Sequence, residues 1–292
     1  MKVLVTGANG QLGCCVQDVF CSSSHSVIAL SRESLDISSE ESVAAAFEKH
    51  KPDVVLNTAA FTAVDKAESD PDHAAQVNAV APGILAKAAK CAGAKLIHIS
   101  TDYVFDGESS TPYRELDPAN PQGVYGRSKL EGELAVQRYC DAFVILRTAW
   151  VFSEYGNNFL KTMVRVGAQR NELSVVEDQI GCPTYAVDIA KACLAIIDTF
   201  SSGKGKYGIY HYVGDEAVSW FGFASAIFSE AKQQGVLSEL PNVKAIASVD
   251  YPTPAKRPAY SVMDTTNIAK DFGIAPSNWR KGVERVVGML AQ

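Results

Sequence analysis

The chain has 292 residues, 47% of them hydrophobic and 21% charged, with a formal net charge of -6. This composition suits a globular protein with a full core, and the acidic balance without a long basic run argues against a nucleic-acid partner. No segment reaches the ~18 uninterrupted apolar residues of a membrane span, and no charged region with an apolar core opens the chain, so a cytoplasmic protein with no membrane partner is expected.

Val3 to Val5 is a short apolar run, as in a buried parallel strand. Gly7, Gly10 and Gly13 follow it, with Asn9, Gln11 and Leu12 among them, and Leu12 to Phe20 reads as a helix. Glycine permits a tight turn and close approach of the backbone to a pyrophosphate. A helix N-terminus adds free N–H groups and a favourable dipole. The G-x-x-G-x-x-G spacing departs from G-x-G-x-x-G, but its place between strand and helix predicts a dinucleotide loop.

Ser26 to Ser31 is a second strand, and Ser38-Ser39-Glu40-Glu41 reads as a capping box ahead of a helix over Ser42 to Lys49. The end of a second strand normally separates NAD from NADP. Ser31 and Arg32 suit a 2'-phosphate, whereas Glu33 would serve NAD. NADPH is favoured and NADH stays open. Asp36 and Ile37 fall where an adenine edge would lie.

Val54 to Ala59 is a third strand, and Ala59, Ala60 and Phe61 would let a nicotinamide approach the backbone. Helices are expected over Glu68 to Asn78 and Gly83 to Ala92, a strand over Leu96 to Ser100, a helix over Tyr125 to Tyr139 and a strand over Phe143 to Arg147. This βαβ alternation predicts an α/β fold: a Rossmann-type, doubly wound parallel sheet with its ligand at the carboxyl ends of the strands.

Tyr125 and Lys129 stand four residues apart and so share one helix face. A phenol ordinarily titrates near 10, and a nearby ammonium favours its phenolate. Thr101, just past a strand, adds a hydroxyl for a substrate carbonyl. Together they predict an acid–base site that reduces a ketone or oxidises an alcohol. Neither the 5 histidines nor the 7 cysteines form a zinc pattern, so no metal is expected and the thiols read as reduced core residues.

These segments resemble the extended short-chain dehydrogenase/reductase family, and within it the dTDP-4-dehydrorhamnose reductases. The resemblance runs through the glycine loop, 60–68, 100–107, 125–129, 147–152, 156–159, 178–184 and 251–258. It implies reduction of the 4-keto group of dTDP-6-deoxy-L-lyxo-4-hexulose, with Tyr125 as proton donor, Lys129 on the nicotinamide ribose and Thr101 on the keto oxygen. It also implies Asn78 at the cofactor and Val64, Asp102, Tyr103, Phe105, Trp150, Asn158 and Arg257 at the sugar nucleotide, Arg257 on its pyrophosphate. Residues 1–150 would form the cofactor domain and 151–292 most of a smaller substrate domain, the chain crossing between the two. Two other readings stay open: a non-catalytic NADP-binding regulatory subunit resembling the methionine adenosyltransferase β subunit, and a reductase of another nucleotide 4-keto sugar.

Some bacterial relatives join a dimer through magnesium held by acidic side chains, one of them in the first helix. Here that helix reads Cys14-Cys15-Val16-Gln17 before Asp18, and 184–188 holds Asp188 as its one acid. A hard cation needs several oxygen ligands. A monomer or weak homodimer without magnesium is therefore expected.

Overall fold

The apolar run that begins the chain becomes an interior strand of a sheet. β1 (Lys2–Thr6) lies between β2 (Ser26–Leu30) and β3 (Val54–Asn57), and β4 (Lys95–Thr101) and β5 (Phe143–Thr148) extend the β3 side. A later strand, Gly208–His211, returns to pair with β5. All pairings in this six-stranded sheet are parallel. The order reverses between β1 and β3, which is the switch point where such sheets open a crevice for ligand. This computed structural model describes residues 1–291.

Both faces of the sheet are covered because successive strand side chains point to opposite sides. Val3 and Val5 join one core cluster with Leu12, Cys15 and Val16 of α1 (Gln11–Phe20) and with the helix Ala186–Ser201. Leu4, Val55, Leu96 and Ile145 face the other way. They pack on α2 (Glu40–His50) and on Leu85 and Val136 from the helices over Ala81–Ala92 and Val124–Tyr139. The later chain also builds short two-stranded pairings outside that sheet, including 172–176 with 242–246 and 151–152 with 184–185.

Three local readings change. Helix α2 begins two residues earlier than expected. Its N-cap is Ser39, whose Oγ accepts from Ser42 N at 3.2 Å, so the third helical residue is a serine and no glutamate completes a capping box. The Glu68 to Asn78 helix is instead α3 (Val64–Ser69), then α4 (Pro71–Ala75) running into a π-helical turn over Gln76–Val80, then α5 (Ala81–Ala92). Pro71 disfavours helix at Asp70, and Pro82 has no N–H for the Asn78 carbonyl. The third strand ends at Asn57, because the Thr58 hydroxyl turns back to donate to Thr6 O at 2.6 Å. The helix with the Tyr125 and Lys129 pair is α6 (Val124–Tyr139).

Candidate active site

At the switch point lies a cleft of about 830 Å³, lined by residues at and after the ends of β1 to β5. Its floor is the glycine loop. Gly7 has φ +72, and a Cβ there would lie 2.8 Å from backbone atoms of Ala59. Gly10 N donates to Gly7 O at 2.9 Å and closes the turn. Gly10 then caps α1 with extended backbone and no side-chain acceptor, leaving the first helical amides for an anion. A Cβ on Gly13 would meet Gly7 O at 2.2 Å, so Gly13 serves the packing of helix on loop and is not part of the cleft lining.

Arg32, Asp36 and Ile37 line the far end of the cleft, with Leu35 and Ser38. Ser31 does not; its hydroxyl donates to Glu33, which lines the cleft beside Arg32 and is held below the usual carboxylate range by that bond. Asp36 accepts from Ser38 N at 2.9 Å and Ser38 Oγ at 2.6 Å, and these bonds hold its carboxyl below the usual range too.

Ala59, Ala60 and Phe61 form the wall beside β1. Asn78 acts from behind. It accepts from Phe61 N at 2.8 Å and donates to Phe61 O at 3.0 Å and Ser128 Oγ at 3.1 Å, clamping the loop to α6. Glu68 does similar work on the same helix: its Oε1 accepts from Val124 N at 2.8 Å, an amide that has no partner within the helix.

Thr101, Tyr125 and Lys129 meet on the inner wall and are 5%, 8% and 2% exposed. Lys129 Nζ donates to Ile99 O at 2.7 Å. The Thr101 hydroxyl donates to Asp102 Oδ1 at 2.9 Å. Burial pushes the Tyr125 phenol well above its ordinary value, opposed only by the Thr101 hydroxyl, while burial brings Lys129 down to about 8 against the pull of Glu133. The expected depression of Tyr125 by Lys129 is therefore not what the side chains give: the lysine turns to a backbone carbonyl, and desolvation of the phenolate dominates. Tyr125 is a neutral phenol, which is the form that donates a proton. Asp102 is buried, with an unpartnered Oδ2, and burial raises it to about 6.

Beside Tyr125, Val64 and Tyr103 line the cleft, and the Tyr103 ring meets Tyr125 edge-on at 5.3 Å between centroids. Trp150 lines it too, with φ +49, and stacks on Trp220 at 3.5 Å between ring centroids. Asn158 caps the helix Phe159–Gly167 and donates to Gln11 Oε1 at 2.7 Å, joining this wall to the glycine loop.

Two residues expected at the sugar nucleotide lie elsewhere. Phe105 is buried outside the lining, stacked on Tyr113 at 4.2 Å, because that pairing removes its ring from water. Arg257 stands behind the wall: its guanidinium pairs with Asp65 at 2.6 Å and donates to Tyr103 Oη at 3.2 Å. Lining residues that sequence reasoning passed over include Thr62, His73, Gln76 and Asn157. For Asn157 a signal existed in the Gly156–Phe159 run. For His73 and Gln76 none did, since a single unbroken helix was expected there.

A family model described as RmlD substrate binding domain matches residues 1–291. The dTDP-4-dehydrorhamnose reductase of Aggregatibacter actinomycetemcomitans is 45% identical over 98% of each chain. Among solved structures, a dTDP-4-dehydrorhamnose reductase from Clostridium acetobutylicum superposes with TM-score 0.93 at 40% identity, covering all of both chains. The Bacillus anthracis dTDP-4-dehydrorhamnose reductase in complex with NADP gives TM-score 0.90 at 37% identity over 98% of each chain.

Proposed function

This chain belongs to the dTDP-4-dehydrorhamnose reductase family, and from that premise we infer that it is an NADPH-dependent oxidoreductase. It reduces the 4-keto group of dTDP-6-deoxy-L-lyxo-4-hexulose and yields dTDP-L-rhamnose. The observation that carries the reading is the convergence of a neutral Tyr125 phenol, Thr101 and Lys129 beside a glycine cradle.

The residues present fit the cofactor. Gly7 lets the loop pack against the Ala59 backbone where a Cβ would clash, and the uncapped first amides of α1, which Gly10 precedes, would receive the pyrophosphate. NADPH supplies the two electrons, as hydride, to C4 of the sugar. Tyr125 Oη gives its proton to the C4 oxygen as charge develops there. The Thr101 hydroxyl turns from Asp102 to hold that oxygen. Lys129 would hold the nicotinamide ribose in place of Ile99 O, and Val64, Tyr103 and Trp150 would cover the sugar and exclude water. Arg257 would reach the pyrophosphate only by releasing Asp65. We assign cofactor binding chiefly to residues 1–150, with 186–211 returning to that sheet, and the sugar nucleotide to much of 151–292.

Purified protein mixed with NADPH and the 4-keto sugar nucleotide is expected to lose absorbance at the nicotinamide band. No turnover while NADPH still binds would overturn the reading. Arg32→Ala is expected to weaken NADPH by about tenfold, the loss of one charge-assisted contact of about 1.5 kcal/mol, and to leave NADH unchanged in a binding titration.

No helix is long and apolar enough to cross a membrane among the described residues. Asp18 accepts from Tyr155 Oη at 2.6 Å, and Asp188 pairs with Lys191 at 2.9 Å and accepts from Ser277 at 2.9 Å. With both acids already engaged, we propose a monomer or weak homodimer without magnesium. Sizing is expected to give the same elution with and without EDTA.

A further inference from the structure

Beneath Lys129 lies an ion pair sealed from water. Glu133 is fully buried and Arg147 is 3% exposed. Arg147 Nε donates to Glu133 Oε1 at 2.9 Å and Nη2 to Oε2 at 2.6 Å, and Ser100 Oγ donates to Oε1 at 2.5 Å. Arg147 also lies over the Phe105 ring at 5.1 Å and reaches His211 Nε2 at 3.4 Å.

Stability alone is a poor reason for this pair. Desolvating two charges costs about as much as their attraction returns, and apolar replacements of similar volume are often neutral or stabilising. Its position suggests another reason. Tyr125, Lys129 and Glu133 recur every four residues and so share one face of α6. That face is fastened to the end of β4 at two successive turns, at Ile99 O through Lys129 and at Ser100 through Glu133.

Lys129 lines the cleft but is only 2% exposed, and its hydrogen-bond partner is an uncharged carbonyl. Around it stand Tyr125 and Glu133 on its own helix and His98 on β4, with Arg147 of β5 beyond Glu133. His98 is neutral, because burial and the nearby lysine both disfavour its charge. Glu133 is the group that opposes the burial of Lys129.

We infer that Glu133, clamped by Arg147, is a positioning residue for the cofactor site: it supplies the buried counter-charge that holds Lys129 as an ammonium facing the cleft. This rests on the reading of Lys129 as the group that meets the nicotinamide ribose. The folded lysine titrates at about 8, below its ordinary 10.5, so the ammonium is present below that pH and lost as pH rises through it. Removing the anion lowers the titration further.

The test is NADPH affinity by fluorescence from pH 6 to 9.5, with melting temperature measured alongside. The wild type is expected to weaken as pH rises through about 8. Glu133→Gln is expected to weaken from about one pH unit lower, while at pH 6 it stays within about threefold of wild type. Glu133→Asp keeps the charge and is expected to keep the wild-type limb. If Glu133→Gln strands Arg147 and does not fold, Glu133→Gln with Arg147→Met removes both charges and is expected to displace the limb downward by a smaller amount, because the repelling Arg147 cation leaves with the anion. A lower melting temperature with the alkaline limb unmoved overturns the inference, as does Glu133→Asp behaving like Glu133→Gln. A wild type that binds no NADPH at any pH overturns the parent reading and this one with it.

Discussion

Replacing Tyr125 by phenylalanine removes the proton donor and is expected to lower turnover by about 10²–10⁴-fold, the usual contribution of a positioned general acid. The effect belongs to chemistry and not to folding. The ring is 8% exposed and packs edge-on against Tyr103, contacts that phenylalanine keeps. Its hydroxyl faces Thr101 and the cleft, so its loss strands no deeply buried partner. NADPH affinity should therefore stay within about threefold of wild type, since the lost oxygen touches the reacting carbonyl and not the pyrophosphate cradle. Single-turnover decay of the nicotinamide band, with NADPH binding measured separately, checks both halves. Turnover within tenfold of wild type would move the proton donor elsewhere, and buried Asp102 beside Thr101 would be the next residue to replace.

The parts of this site that were legible in the sequence are those in which one short segment carries its own physics. Val3 to Val5 are apolar without interruption because both sheet faces are covered, and the glycines after them have no other reason to cluster between a strand and a helix. The four-residue step from Tyr125 to Lys129 is likewise local. What was not legible depends on chain that returns from far away. Arg257 meets Asp65 across 192 residues, and nothing near either position announces the pair. The chemistry of Arg257 suggested a phosphate partner, and its geometry supplies a carboxylate instead. The strand Gly208–His211 joins the sheet edge after a long excursion, so 1–150 is not the whole of the sheet. The protonation of Tyr125 departs from the helical-spacing expectation for a related reason. Helical spacing fixes which side chains are neighbours, but not that Lys129 would bond to Ile99 O and leave burial to govern the phenol.

Gly13→Ala and Gly10→Ala are expected to separate two jobs that the glycine loop performs. At Gly13 a Cβ would lie 2.2 Å from Gly7 O and 2.9 Å from Gly7 C, both backbone atoms that no rotamer change can move. Relief requires α1 to slide off the loop. Gly7 has the backbone of Ala59 2.8 Å from where its own Cβ would be, and its carbonyl already accepts from Gly10 N. Such overpacking costs about 1–3 kcal/mol, so the cofactor-free protein should melt several degrees lower. NADPH affinity should fall by more than tenfold, because the amides that receive the pyrophosphate shift with the helix. At Gly10 the only close atom is Gly7 O at 3.2 Å, an approach the turn can open by a few tenths of an ångström, and the backbone there is extended with φ -76. The cofactor-free melting temperature should then move by no more than a degree or two, while the added methyl faces the cleft and lowers NADPH affinity. Differential scanning calorimetry without cofactor, followed by a binding titration, separates the two. If Gly13→Ala melts like the wild type, the contact between helix and loop is softer than its geometry implies; if Gly10→Ala binds NADPH unchanged, the pyrophosphate does not sit against Gly10.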